Sequence, residues 1–278
     1  METFTLNNGV KIPKIGFGTW QIQEGDDTYN AVKWALAAGY RHIDTALSYH
    51  NEKSVGKAIK ESGIPRSEIF VTTKEPAEDK SYDEALSDFD QSLENLELDY
   101  VDLYLIHAPW LWGLAGKSYH KQNLEVWRAF SEIYQSGRAK AIGVSNFDIR
   151  DLENLIDNSK VKPMVNQIQY YVGFTEPKIA KFCRENNILI EAYSPLATGD
   201  LLMNPTIKKL ASKYNVTPAQ LALEFVLENN VLPLPRSANK NHIIENLKLN
   251  FKIEQKDLEI LRKLPDTAPQ HYHNLTQG

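Results

Sequence analysis

Asp44, Tyr49, Lys74 and His107 are the residues of this chain best suited to moving a proton. Asp44 ends the short apolar run RHID. Tyr49 follows five residues later, just before Asn51 and Glu52, which read as a helix start. Lys74 ends IFVTTK, and His107 follows VDLYLI. A free tyrosine, with a pKa of ~10, exchanges protons reluctantly at neutral pH. A nearby ammonium favours the tyrosinate and lowers that value, and a carboxylate would fix the ammonium in place. A histidine can orient a bound oxygen. Together the four would protonate an alkoxide as it forms on a carbonyl carbon, provided a hydride arrives from a cofactor. Plainer readings stand beside this one. An aspartate at a strand end can simply cap the next helix. A lysine there can serve as a Schiff-base amine.

The absences narrow the chemistry. There is no HExxH and no CxxC, and Cys183 is the only cysteine, so neither an internal disulfide nor a thiolate cluster is expected. No metal is expected. His271 and His273 stand two apart on a predicted tail, where solvated histidines are the reading. GVSNF lacks the last glycine of a nucleophile elbow. GFGTWQ has two glycines of a dinucleotide fingerprint and not the third, and GxxxxGK[ST] is absent. The formal charge of -5 is spread along the chain, without a basic stripe for nucleic acid. METFTLNNGVKIP does not read as a secretory signal, and no apolar run reaches the ~18 residues of a membrane span. The expected location is cytoplasmic, with no membrane or nucleic-acid partner.

Elements that could bring these residues together alternate along the chain. Residues 3–13 read as a hairpin turning at Asn7-Asn8-Gly9 and ending at Pro13. Short apolar strands follow at 15–19, 41–44, 69–74, 101–106, 140–144, 164–167, 188–193 and 231–234. Between them lie helical stretches at 26–39, 51–62, 82–96, 122–136, 148–158, 176–186, 218–228 and 240–248. In the first of these, Ala31, Val32, Ala35 and Leu36 share one face and Gly39 marks the stop. Extra helices are predicted at 205–214 and 256–264. Strands that each return through a helix pair in parallel. Eight such strands close into a (β/α)8 TIM barrel in ~250 residues. A doubly wound open sheet competes. No linker or composition shift divides the chain, so residues 1–278 are read as a single domain.

Active sites of such barrels lie at the carboxyl ends of the strands. Reading those ends gives Trp20, Asp44 with Tyr49, Lys74, His107, Ser145 with Asn146, Gln167, Tyr193, and Arg236 with Ser237. A polar residue ending one strand usually just meets solvent. Functional side chains at nearly every strand end need another explanation.

The sequence resembles the aldo-keto reductases over nearly its whole length. GYRHIDTALSYHNEKSVG at 39–56 is similar to the family's first signature, including Asp44, Tyr49, Asn51, Glu52, Val55 and Gly56. KAIGVSNF at 140–147 resembles the second, and VNQIQ at 165–169 and EAYSPL at 191–196 resemble two further segments. The resemblance implies that Tyr49 is the general acid, that Lys74 lowers its pKa, that Asp44 holds Lys74, and that His107 orients the substrate carbonyl. It also implies that Ser145, Asn146 and Gln167 bind a nicotinamide carboxamide and that Tyr193 stacks on the ring. The implied reaction is NADPH-dependent reduction of aldehydes or ketones, diketo and keto-sugar compounds included.

Three departures matter. The residue after His107, often Trp in the family, is Ala108 in LIHAPW, which should open one wall of the pocket. The segment after Gln167 runs QYYVGF where the family usually has a His-Pro pair. The third signature reads LPRSANKNHIIEN, with Arg236 where the family has lysine and His242 where it has arginine. Arg236, Ser237, Asn239 and His242 would receive the adenosine 2′-phosphate; the lower charge predicts NADPH with some use of NADH. Trp20, Ala108 and Trp110 are read as substrate-binding, Trp112 equally as loop packing, and residues 265–278 as a tail that could close over the pocket. A monomer acting on a small carbonyl compound is expected. A Schiff-base aldolase using Lys74, or a non-catalytic cofactor-binding protein on the same scaffold, are the alternatives.

Overall fold

The computed structural model describes residues 2–269. The chain opens with the antiparallel hairpin β1 (Thr3–Thr5) and β2 (Lys11–Pro13), in which Thr3 pairs with Pro13 and Thr5 with Lys11. The parallel strands β3 (Phe17–Gly18), β4 (His42–Asp44), β5 (Phe70–Glu75) and β6 (Val101–Ile106) follow. Then come β7 (Ala139–Ser145), β8 (Val165–Gln169), β9 (Leu189–Tyr193) and β10 (Leu232–Pro233), each hydrogen-bonded to its sequence neighbour.

The two outer strands of this sheet meet. Gly16 N donates to Pro233 O (3.1 Å) and Gly18 N to Pro235 O (3.0 Å), which closes the eight strands into a barrel. Both ends of the closure are shorter than predicted, because Pro233 and Pro235 have no N–H and offer only carbonyls to it. Close approach requires Gly16. A Cβ there would lie 2.5 Å from the Leu234 side chain and 2.6 Å from His42 Nδ1.

Each crossover is a helix: α1 (Asp26–Ala38), α2 (Glu52–Glu61), α3 (Tyr82–Leu96), α4 (His120–Gln135), α5 (Ile149–Asn158) and α6 (Pro177–Glu185). The additional α7 (Pro205–Lys213) precedes the crossover α8 (Pro218–Glu228). α9 (Lys240–Asn246) and the second additional helix α10 (Gln255–Arg262) follow β10. Local chemistry sets their starts. Ser81 with Glu84, Asp148 with Asp151 and Thr217 with Gln220 form reciprocal capping boxes on α3, α5 and α8. Proline opens α6, α7 and α8. Gly39 ends α1 at φ 115°, where other residues are strained. The predicted elements are thus present with shifts of a few residues. Three 3-10 turns were not predicted, at Leu47–Tyr49, Arg66–Glu68 and Ala197–Met203.

The apolar core lies between the barrel wall and the helix ring, with Trp127, Phe89, Phe130 and Phe225 among its largest buried side chains. Of the predicted tail, residues 265–269 are described and pack beneath the loop after β8. Tyr171 OH donates to Asp266 Oδ1 (2.8 Å), and Gly173 passes so close that a Cβ would lie 2.4 Å from Pro265 O. His271 and His273 lie outside the described residues.

Candidate active site

Strand β4 delivers Asp44 into the barrel and stops. The backbone then turns through Leu47–Tyr49, which aims the Tyr49 ring back over the strand ends. Asn51 fixes this turn rather than capping α2. Its Nδ2 donates to Thr19 O (2.9 Å) and Ile22 O (3.0 Å), and its Oδ1 accepts from Thr45 Oγ1 (2.8 Å). Beside it, β5 is buried at every position, with Lys74 fully enclosed.

Lys74 Nζ has three partners: Asp44 Oδ1 at 2.7 Å, Thr45 O at 2.8 Å and Tyr49 OH at 3.3 Å. Those contacts account for the three hydrogens of an ammonium. Burial opposes the charge on Lys74. The charges and hydrogen bonds of Asp44 and Tyr49 outweigh burial and raise its pKa. A saturated, protonated lysine has no lone pair for a Schiff base, which argues against the aldolase alternative. Tyr49 differs from the sequence expectation. Lys74 does favour its tyrosinate, but burial and the Asp44 charge raise the phenol pKa overall. At neutral pH Tyr49 therefore keeps its proton.

The Tyr49 ring meets His107 edge-on, with centroids 5.5 Å apart, and His107 meets Trp112 in the same way, also at 5.5 Å. Burial, with Lys74 and Lys80 nearby, drives the His107 pKa well below the usual histidine range, so its imidazole is neutral. Its Nδ1 is enclosed without a partner.

Opposite this group, the barrel interior is polar. Gln167 of β8 donates one amide hydrogen to Asp44 Oδ2 (2.9 Å) and the other to Glu191 Oε2 of β9 (2.8 Å). β4 and β8 stand four strands apart in the barrel, so this bond spans its interior. Ser145 Oγ donates to Gln167 O (2.8 Å). Asn146, held in the left-handed region at φ 62°, donates from Nδ2 to His107 O (3.0 Å) and accepts at Oδ1 from Tyr193 OH (2.7 Å).

These residues sit at one end of a cleft of about 1500 Å³. Trp20, Leu47, Tyr49, His107 and Trp112 line this end, with Glu78 and Asp79 at its rim. Ser145, Asn146, Gln167 and Tyr193 line its middle. The lining continues over Leu196, Pro218, Arg236, Ser237 and His242 to Glu245 and Asn246. The volume exceeds the ~300–1,000 Å³ of ordinary small-ligand pockets. An elongated dinucleotide with a small second ligand suits that length.

The predicted site residues do not all face this cleft. Ala108 is fully buried and packs with Ala77 and Trp110 behind the wall. Its carbonyl accepts from Lys80 Nζ (2.8 Å), and Asn123 Nδ2 binds the next carbonyl, Pro109 O (2.8 Å). These anchors turn the chain so that Trp112, two residues past Trp110, presents the large ring beside His107. Ala108 therefore does not open the pocket, and Trp110 supports Trp112 from behind at 5.2 Å. Asn239 spends its side-chain oxygen as the cap of α9, accepting from Asn241 N and His242 N. Arg236 reaches toward β3, donating from Nε to Trp20 O (2.8 Å) and from Nη2 to Gln21 Oε1 (2.9 Å). Sequence reasoning did not assign roles to Glu191, Glu245 or Asn246, and it left Trp112 evenly between pocket and loop packing. Glu191 was visible as the charged residue inside the apolar run ILIEAY. Glu245 and Asn246 end α9, and their place on the cleft depends on how that helix packs.

The model of the aldo/keto reductase family matches residues 14–266. Glyoxal reductase of Bacillus subtilis is 41% identical over 259 residues, covering 93% of this chain and 91% of that protein. Glycerol 2-dehydrogenase (NADP(+)) of Saccharomyces cerevisiae is 38% identical, covering 95% of this chain and 90% of that protein. The crystal structure of an aldo-keto reductase of Bombyx mori in complex with NADP superposes with a TM-score of 0.86 at 31% identity, covering 99% of each chain.

Proposed function

The chain belongs to the aldo/keto reductase family and is an oxidoreductase, and on that premise we propose that it reduces small neutral aldehydes and ketones with NADPH, Tyr49 giving the proton. The observation that carries this reading is the buried chain Asp44–Lys74–Tyr49 opening onto a cleft lined by His107. NADPH would supply the hydride. The residues present suit it. With both amide hydrogens of Gln167 on carboxyl oxygens of Asp44 and Glu191, its remaining capacity is the carbonyl oxygen, an acceptor matched to a carboxamide N–H. Ser145, Asn146 and Tyr193 stand beside it.

In the reaction the carbonyl π bond breaks as hydride reaches carbon, and charge develops on oxygen. Tyr49 OH transfers its proton to that oxygen. The tyrosinate left behind is stabilised by Lys74 Nζ, whose charge Asp44 sustains, and is reprotonated from solvent. Neutral His107, with Nδ1 enclosed in protein, would donate to the same oxygen from Nε2 in its Nε2–H tautomer. A neutral imidazole helps without bringing a competing charge.

Glu78 and Asp79 at the rim disfavour anionic carbonyl compounds, while aromatic Trp20 and Trp112 suit apolar or planar ones. Neutral α-dicarbonyls and simple aldehydes are therefore the proposed substrates. Arg236, with His242 also on the cleft lining, offers the guanidinium fork for the 2′-phosphate, provided it leaves Gln21. The test is a panel of aldehydes, diketones, keto sugars and keto acids with NADPH and NADH, in wild type and Arg236→Ala. Neutral dicarbonyls should lead, keto acids should trail, and Arg236→Ala should weaken NADPH more than NADH. Equal losses with both cofactors would remove Arg236 from phosphate recognition, and no reduction across the panel would remove the function.

A further inference from the structure

Among the described residues, Glu191 is a carboxyl group inside the barrel that this reaction leaves without a task. It is fully buried on β9, one of its oxygens takes the Gln167 amide, and the other has no partner. The same amide holds Asp44 Oδ2, while Asp44 Oδ1 holds Lys74. Four side chains from β4, β5, β8 and β9 thus form one line: Glu191, Gln167, Asp44, Lys74. A carboxamide donating two hydrogens to two carboxyl groups cannot turn without losing both bonds. Gln167 therefore fixes the distance between them.

We propose that Glu191 is a positioning residue for the Asp44–Lys74 pair: through Gln167 it holds Asp44 against Lys74, and its own charge state sets the field in which Tyr49 ionises. The proposal deepens the reductase reading and rests on it for its consequence in turnover. The charged neighbours facing Glu191 are Asp44 from β4 and Lys74 from β5, while Gln167 from β8 is neutral. Burial first, and then the Asp44 charge, push the Glu191 carboxyl up to about 8, against the opposing hydrogen bond of Gln167 and charge of Lys74. Near neutral pH it is a neutral acid, and the Gln167 hydrogen on one oxygen leaves the other, Oε1, to carry its proton. When it ionises, a second anion joins Asp44. Asp44 already raises the Tyr49 pKa, and a further anion in the same enclosure acts in the same sense.

Two substitutions separate position from charge. Glu191→Gln keeps an acceptor for Gln167 and cannot ionise. Glu191→Leu is neutral too, but leaves the Gln167 amide hydrogen without an acceptor. The first readout needs no cofactor or substrate. Tyrosine ionisation is titrated by ultraviolet difference spectroscopy in the apo-protein, and the Tyr49→Phe curve, measured in each background, is subtracted. Tyr49 should titrate about one pH unit lower in Glu191→Gln than in wild type. An unmoved Tyr49 titration would overturn the charge role. The second readout is kcat for carbonyl reduction near pH ~6.5, where Glu191→Gln should stay within ~2-fold of wild type and Glu191→Leu should lose ~10-fold or more. Equal kcat in both variants would overturn the positioning role. If one variant does not fold, the other still decides the titration, since both are neutral. A wild type that reduces no carbonyl would overturn the reductase reading, while the apo titration would still decide this one.

Discussion

Lys74 has no spare hydrogen. Its three contacts are to Asp44, Thr45 and Tyr49, which makes the lysine both the partner of the proposed acid and the support of the turn that carries it. Removing one member of a buried pair leaves the other charge unsolvated, at a cost of ~3–5 kcal/mol. Lys74→Met should therefore unfold at lower urea concentration by about that much and lose carbonyl reduction. Asp44→Asn should be milder, because asparagine still offers Lys74 an acceptor; it should lose part of the stability and most of the rate. Urea midpoints and steady-state rates check both. A Lys74→Met protein as stable as wild type would mean that Asp44 is relieved by Gln167 alone.

Between elements, the site depends on close packing of the helices behind it. α2 begins at the turn that carries Tyr49, and Gly56 lets α2 approach the end of α3 so closely that a Cβ would lie 2.1 Å from Leu96 O. The obstruction is backbone, which cannot swing aside. Gly56→Ala should cost at least the ~1–3 kcal/mol typical of overpacking, lowering the thermal midpoint by several degrees. The folded fraction should still reduce carbonyls, with kcat/KM lowered through displacement of Tyr49. An unchanged midpoint would mean that α2 and α3 are free to separate. The same distinction between local and distant contacts decided what could be read from the sequence. The alternation of strands and helices and the helix caps are local patterns, and they predicted the barrel and its elements to within a few residues. Asp44 and Tyr49 were legible because one short segment carries both. The bond from Gln167 to Asp44 crosses the barrel between residues 123 positions apart and leaves no local trace. Ala108 was misread because side-chain size was considered without the loop's course: anchors from Lys80 and Asn123 send Ala108 and Trp110 behind the wall and bring Trp112 to His107.

For the whole molecule, the buried titratable groups set how stability responds to pH. Buried carboxyls are raised: Glu191 to about 8, Asp88 to about 7, and Glu75 well above its usual value, each chiefly by burial. A raised acid binds a proton in the folded state that the unfolded chain has released. Its contribution to stability is complete below the unfolded-chain pKa of ~4 and is lost progressively as pH rises to the folded pKa. His42, lowered to about 3, and His107, lowered well below its usual value, act oppositely. They cost stability below the ordinary histidine pKa of ~6.5 and nothing above it. Below pH ~6.5 the two histidines offset part of this fall, so stability should fall most steeply between pH ~6.5 and ~8, as read by calorimetric midpoints, and Glu191→Gln should flatten that fall. A midpoint that climbs steadily from pH ~6.5 to ~8 would contradict the assignment of these carboxyls as neutral. The central claim is that this barrel encloses a proton donor at Tyr49 for a carbonyl reduced by NADPH. Its most direct test is Tyr49→Phe, with turnover of a neutral dicarbonyl measured beside NADPH affinity by fluorescence quenching. The account predicts a loss of ~10²–10⁴-fold or more in kcat with nearly unchanged NADPH affinity. Turnover like that of wild type would contradict it.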